Sequence, residues 1–520
     1  MKTKNTEELP HPQGENELSK TSEQLQAIAL DTEGGRFHVQ WDSSTALTPM
    51  GQLVFFAQFL EASGLLRKFY EDAPLEYTSR NSPDVRDVLG TGILSILAGH
   101  HRYAHINGLR FDTVNPALLG MSKVMSEDCV RRAMKKMDSK DVNRWLSNQM
   151  LACWEPLLCN EWILDVDTTV KTVYGYNNST GYNPHKPGRP SQVYHTFFMG
   201  TLRLCLGVDV QPASKHAAKY TMPKLWELLG QLERSSWPTL LRADCAYGNE
   251  NILGQAEQHE LNYLCRLRKT PKVKELIQML ELEGKWERIP GDNREAINGT
   301  IQLTGWSCSR RVAILRRRKS TCSTSRQNPG GLLQLQGNDF LISGPGYDYI
   351  VLVTSLDWPL ESLAQLYRQR ADMENVIDEL KNQWGWGGFT TRDLDRCQTM
   401  AMLIGLIYNW WSLYTRLIDE SNHHEAITTR AAMLNGVARQ VKHSGQKTIK
   451  VTLMHAGCQK IRELVTQAND FISKVKQAAE QFTQAHRWRL ILMRIFRKYL
   501  RGRILIEPPP DLQEAFMLPA

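Results

Sequence analysis

EWILDVDTTVKTVY (161–174), QVYHTFFMG (192–200) and LRLCLGVDVQ (202–211) are short runs rich in Val, Ile, Tyr, Phe and Thr, set apart by Gly, Pro and Asn. Such runs predict three neighbouring strands. Downstream the signals alternate: MPKLWELLGQLERS (222–235) reads as a helix, TLLRADC (239–245) as a strand, NENILGQAEQH (249–259) as a helix and LNYLCRLR (261–268) as a strand. Three strands followed by alternating helix and strand specify a mixed α/β layer, not a bundle or a sandwich.

Outward from this layer the texture changes on both sides. Residues 271–344 turn polar and Gly-rich, with IPGDNREAINGT and RRVAILRRRKSTCSTSRQNPGG, and predict a strand-rich insertion with at least one flexible loop. YIVLVTSL (349–356) restores a strand, ESLAQLYRQRADMENVIDELKNQW (361–384) predicts one long helix, and 401–520 reads as mainly helical. On the N-terminal side, apolar residues recur at three and four spacing in GQLVFFAQFLEASGLLRKF (51–69) and SPDVRDVLGTGILSILAGH (82–100), so 36–150 predicts a helical domain. Residues 1–35 are polar, rich in Glu, Lys, Thr and Gln, and predict a disordered tail.

Composition bounds the function without naming it. Sixty-three Lys and Arg against 55 Asp and Glu leave a formal charge of +8 and suit a polyanionic partner, or simply a mildly basic enzyme. The ten cysteines contain no CxxC pair, which argues against a zinc site or a disulfide framework and for reduced thiols. The longest apolar stretch, AMLIGLIYNWWSLY (401–414), is shorter than the roughly 20 residues of a membrane span and reads as a buried helix.

Carboxylates supply the chemistry. In LDVDTT, Asp165 and Asp167 alternate along a strand and project to the same face, so geometry does not choose between them. In LLRADCAYGN, Asp244 ends an apolar run before a Gly-containing turn, a position typical of sites at strand C-termini and equally of a turn cap. In YRQRADMENVIDELK (367–381), Tyr367, Arg370, Glu374 and Lys381 fall within roughly 60° on one helix face. A solvated stripe with Arg370 and Glu374 paired across one turn explains the same spacing.

With those residues in view, the sequence resembles the DDE transposases of bacterial insertion sequences. The branch in question is marked by Tyr, two residues, Arg, three residues, Glu, six residues, Lys, which Tyr367, Arg370, Glu374 and Lys381 match at every position. Asp167 before Thr168 and Thr169 resembles the family's first acid, with Asp165 the alternative, and Asp244 in Arg242-x-Asp244 resembles the second. GYNPHKPGRP (181–190) resembles a segment of one subgroup. The resemblance implies a ribonuclease-H-like catalytic core over 160–270 and 345–400, interrupted by the insertion and flanked by helical regions. It implies Asp167, Asp244 and Glu374 as catalytic ligands of two Mg2+ ions, with Mn2+ able to substitute. Tyr367, Arg370 and Lys381 would hold DNA phosphates. Cut-and-paste transposition would then run on double-stranded DNA, both terminal repeats and target, in a synaptic homodimer within the bacterial cytoplasm at the nucleoid.

Other basic residues have competing readings. Lys186 and Arg189 are further phosphate contacts or members of an exposed loop. Arg131, Arg132, Lys135 and Lys136 follow Ser126, an N-cap, and form a DNA-reading helix or a solvated basic face. HRWRLILMRIFRKYLRGR (486–503) mixes cations with apolar residues and suits DNA contact, a partner protomer or a membrane surface, of which the resemblance favours the first two. A structure-specific nuclease on the same core, or an inactive DNA-binding derivative, are the competing functions; intact acids at three positions weigh against the latter.

Overall fold

A computed structural model describes residues 28–42, 44–175, 177, 179–183, 188–215, 217–319, 346–420, 423–452, 458–477, 482–513 and 516. Strands β1 (Ile28–Thr32) and β2 (Gly35–Val39) form a hairpin, and β3 (Ala46–Thr48) leads into helices Leu53–Ser63, Leu65–Glu71, Val85–Leu97, Glu127–Lys136 and Ser139–Trp154. Then come β4 (Ile163–Thr172), β5 (Ser191–Met199), β6 (Leu204–Pro212), β7 (Leu240–Ala243) and β8 (Tyr263–Arg266), with helices Ala217–Leu229 and Glu250–Gln258 before and after β7. Helix Pro271–Glu283 precedes β9 (Glu287–Arg288), β10 (Arg294–Ile301), β11 (Arg310–Arg318) and β12 (Tyr347–Thr354). Helices Leu360–Arg368, Ala371–Asn382, Leu394–Ile418 and Ala426–Met433 follow, then β13 (Ala438–His443), β14 (Gln446–Val451) and helices Cys458–Gln477 and Gln484–Ile495.

The mixed α/β expectation holds. Among the described residues nine strands form one sheet in the order β6-β5-β4-β7-β8-β12-β11-β10-β9. β4, β7 and β8 run parallel, whereas β5 pairs antiparallel with β4 and β6 antiparallel with β5. Side-chain alternation divides the two faces. Leu240 and Leu264 join a smaller core beneath helix Leu360–Arg368, while Leu241 and Cys265 join the main core on the other side. Strands β9 to β11 continue this sheet through β12.

The exposed edge of β6 is closed by two amides of helix Leu394–Ile418. Asn409 accepts from the Cys205 N–H at 2.8 Å and donates to its carbonyl at 2.7 Å. Gln398 accepts from the Val210 N–H at 2.7 Å and donates to the Val208 carbonyl at 2.8 Å. Edge backbone groups thus find partners in the core, which is why AMLIGLIYNWWSLY is buried along its whole length. Among the described residues no helix is long and apolar enough to cross a membrane.

Three expectations are corrected. The end of the expected tail is ordered, since Ile28–Thr32 pairs with Gly35–Val39 through the tight turn around Gly34; residues 1–27 lie outside the described residues. The C-terminal region contains the β13–β14 hairpin, which pairs with β3 from the other end of the chain, a partner that periodicity within one segment does not reveal. The long helix of 361–384 is two helices, broken at Gln369 and Arg370. In a continuous helix the Arg370 N–H would bond the Leu366 carbonyl; the Arg242 guanidinium takes that carbonyl instead, and the Arg370 N–H turns to Tyr367 O at 3.1 Å.

Candidate active site

The parallel pairing of β4 with β7 sets Asp165 beside Arg242 and Val166 beside Ala243. Asp167 and Asp244, each one residue further on, therefore stand level, Asp167 midway along β4 and Asp244 just past the C-terminal end of β7. Asp165 and Asp167 face the same side but meet different surroundings. Asp165 is sealed from solvent, and its carboxylate accepts from Arg242 Nε at 2.6 Å and Nη2 at 2.7 Å. A Cβ at Gly200 would lie 2.2 Å from Asp165 Oδ2, so glycine there leaves the room the pair needs. Burial raises the Asp165 pKa, and Arg242 opposes the rise. Both oxygens of this acid are spent on a structural ion pair.

Asp167 is less enclosed. Its Oδ1 accepts from the Thr168 N–H at 2.7 Å and its Oδ2 from Arg370 Nη2 at 2.5 Å. Arg370 Nη1 reaches Glu374 Oε1 at 2.6 Å, so one buried guanidinium bridges two of the expected acids. Glu374 lies in the first turn of helix Ala371–Asn382, its side chain 55% exposed. Asp244 is half-buried and its Oδ1 accepts from the Ala246 N–H at 2.9 Å, the turn bond that a cap reading predicts. Burial first, then the neighbouring charges of Asp244 and Glu374, push the Asp167 carboxyl up to about 7 despite Arg370. Burial is thus the main reason a charged carboxylate is disfavoured here, with the two neighbouring acids adding to it and Arg370 opposing it.

Around these acids, Tyr367 is half-buried against the smaller core, and burial pushes its phenol above the usual range. Lys381 Nζ donates to the Val170 carbonyl at 3.4 Å, on the strand that carries Asp167. Arg189 is exposed beside the start of β5; Lys186 lies outside the described residues. The expected reading helix exists as Glu127–Lys136 with Ser126 Oγ accepting from the Cys129 N–H at 3.3 Å. Its cations are partly engaged within the chain: Arg131 lies over the Tyr103 ring at 5.8 Å, Arg132 pairs with Asp128, and Lys136 donates to the Glu76 carbonyl, while Lys135 is exposed. Trp306 is buried under Arg310, 4.8 Å from its ring centroid.

Over residues 45–475 the sequence matches the transposase DDE domain, group 1. The chain belongs to this transposase family. The transposase is therefore a DNA-cleaving and DNA-transferring enzyme. No curated protein matches it. Among solved structures it is similar, at 11% identity and a TM-score of 0.39, to the piggyBac transposase synaptic complex with hairpin DNA determined by cryo-EM, over 90% of this chain and 89% of that one.

One group of the transposase's site escaped the sequence reading. Lys171, four residues beyond Asp167 and on the same face of β4, is buried and donates to Tyr194 Oη at 3.2 Å and to the Gly388 carbonyl. Burial pushes its ammonium down to about 8. Its signal in the sequence, a Lys at period two within a strand, is no different from that of a solvated strand face.

Proposed function

We propose that the transposase acts by cut and paste, with Asp167, Asp244 and Glu374 as its catalytic carboxylates. The observation that carries this is the level placement of Asp167 on β4 and Asp244 just past the end of the adjacent parallel strand β7, with Glu374 tied to Asp167 through Arg370. The order β6-β5-β4-β7-β8, three antiparallel strands then two parallel to the first, supports a ribonuclease-H-like core over 160–270 and 345–400. The segment 271–344 is then its insertion, 36–150 a DNA-binding region and 401–520 a region for DNA contact or dimerisation.

The donor set fits divalent magnesium, with manganese able to substitute: hard carboxylate oxygens gather where burial and neighbouring acids disfavour an uncompensated carboxylate. Among the described residues no three acid, His or Cys side chains already close to a metal cage, because the Arg370 guanidinium fills the gap between Asp167 and Glu374. Two bound ions would activate the attacking oxygen and stabilise the leaving one. Asp167, Asp244 and Glu374 would hold them once Arg370 turns to a DNA phosphate, which its fork binds bidentately. Tyr367 and Lys381 flank the same space, and Arg189 stands exposed beside the start of β5 as a further phosphate contact; the same role for Lys186 falls outside the described residues. Water attacks the phosphodiester at the element end, the P–O3′ bond breaks and the departing oxygen becomes the 3′ hydroxyl that joins target DNA. This cycle would run in a homodimer holding two DNA ends, in the bacterial cytoplasm.

The test is magnesium-dependent cleavage of DNA carrying the element's ends. Asp167→Asn, Asp244→Asn and Glu374→Gln should each bind those ends and fail to cut, by at least about 10³-fold if each removes several kcal/mol of transition-state stabilisation. Normal cutting by Glu374→Gln would overturn the assignment and leave the Arg370 pair as a surface contact.

A further inference from the structure

The β13–β14 hairpin carries a charge pattern that the fold does not use. Between Glu425 and Glu463 there is no Asp or Glu, while Arg439, Lys442, Lys447 and Lys450 all lie on this ribbon and are exposed. The register sets Arg439 directly opposite Lys450 and Lys442 directly opposite Lys447. Like charges facing one another across a strand pair destabilise it. None of the four pairs with a carboxylate among the described residues. Two repelling pairs, one on each face, form a cost that a polyanion would remove.

The ribbon is also stiff and well anchored. Its tip is a two-residue loop in which Ser444 (φ 47°) and Gly445 (φ 82°) both adopt left-handed backbone, the turn that matches strand twist. At its root, Gly51 N–H bonds Gly436 O at 2.8 Å, Gly436 N–H bonds Pro49 O at 3.0 Å, and β3 pairs with Ala438 to Gln440. A Cβ at Gly51 would come within 2.5 Å of the Ala438 Cβ, so the hairpin sits tight on the helical body. Six residues per strand extend it about 20 Å, and the DNA major groove admits a two-stranded ribbon.

We propose that this hairpin is a duplex-DNA contact whose four cations seat on backbone phosphates. The inference rests on the transposase reading for the identity of the polyanion, and adds a contact independent of the acid site. It concerns phosphates, so it carries affinity and positioning, not base recognition.

The measurement is fluorescence anisotropy of the full-length protein on two duplexes, one with the element's end and one of unrelated sequence, across a salt series without divalent ions. The variant is Arg439→Gln, Lys442→Gln, Lys447→Gln and Lys450→Gln together, with Lys442→Gln and Lys447→Gln alone as a tip variant and Lys442→Arg with Lys447→Arg as a charge-keeping control. If two to four phosphates are lost, the slope of log affinity against log salt falls by about 2 to 4, and the wild type loses roughly 10- to 150-fold more affinity than the variant between 50 and 200 mM salt. Both duplexes weaken equally, the tip variant shows about half the slope change, and the arginine control keeps the wild-type slope. A folded quadruple variant, or a tip variant, with wild-type slope overturns the proposal. So does an unchanged slope with new self-association by sedimentation, which would make these lysines guards of the β14 edge. A wild type that binds neither duplex would instead count against the transposase reading itself.

Discussion

Asp165 and Asp167, two residues apart and facing the same way, acquire opposite tasks from the groups that meet them. Asp165 meets Arg242 in a sealed space, and breaking a buried pair by removing one partner costs about 3–5 kcal/mol. Asp165→Asn is expected to lower stability by that order in urea denaturation, whatever it does to cleavage. Asp167 behaves in the reverse sense. Its folded pKa of about 7 lies above the ordinary 3.8, so between those values the folded protein keeps a proton that the unfolded chain has released, and stability falls as pH rises through that window. In buffer without divalent ions, Asp167→Asn should therefore be more stable than the wild type at about pH 8, with the advantage vanishing near pH 4. Urea denaturation at both pH values checks this, and a wild type that is the more stable at the higher pH would refute the cost of burying a charged Asp167.

At the scale of elements, the helix that carries Glu374 is held by the segment on its C-terminal side. Its last turn runs into Trp384–Phe389, where Gly388 packs so close that a Cβ would lie 2.0 Å from the His101 carbonyl. Lys171 reaches the Gly388 carbonyl from β4, which ties the strand of the first acid to the segment behind the third. Arg430 donates to Gln383 O at 2.5 Å and Ile96 O at 3.1 Å, and buried Glu379 accepts from the Trp384 indole and from the Ala426 N–H, both at 2.9 Å. Lys171→Met removes an ammonium whose lowered pKa marks its charge as unfavourable when buried, so stability should change little while acid placement loosens. Cleavage is expected to fall by up to about 100-fold with unchanged DNA affinity, since a 1 Å misplacement costs that much. Glycines supply a stability contrast: Gly388→Ala should melt far below the wild type. Gly92→Ala, whose Cβ would meet only Leu403 at 3.5 Å within helix Val85–Leu97, should gain about 0.5–1 kcal/mol. Calorimetry of the two variants separates the effects.

Across the whole molecule, the C-terminal region closes on the N-terminal helical region. β3 pairs with β13, Lys476 pairs with Glu61 at 2.6 Å, Gln484 donates to Ala62 O at 2.7 Å and the Trp488 indole to Ala152 O at 2.8 Å. The C-terminal cations are partly drawn into this closure, as Arg494 and Arg497 meet Glu420 at 3.0 and 3.3 Å. If the protein acts as a homodimer, mass photometry with DNA ends should give a complex of two protomers and two duplexes. A single protomer per duplex at saturation would remove the dimer from the proposed cycle.

The sequence by itself determined the mixed α/β layer, because strand and helix periods are local properties of 160–270. It also brought out the spacing of Glu374 and Lys381 along one helix, because such spacing survives without knowledge of neighbours, whereas Tyr367 falls on the preceding helix. Tertiary structure alone decided the rest. Which aspartate of LDVDTT is spent on structure depends on Arg242, a residue on another strand. Where the long helix breaks depends on that same guanidinium taking a carbonyl from the helix. That Arg370 stands between two acids, that Lys171 grips Gly388, and that a basic hairpin is anchored by β3 are contacts between residues far apart in the chain. Local sequence sets the period of an element, but burial and charge neighbours set the work of each side chain, and those are fixed only when the chain closes on itself.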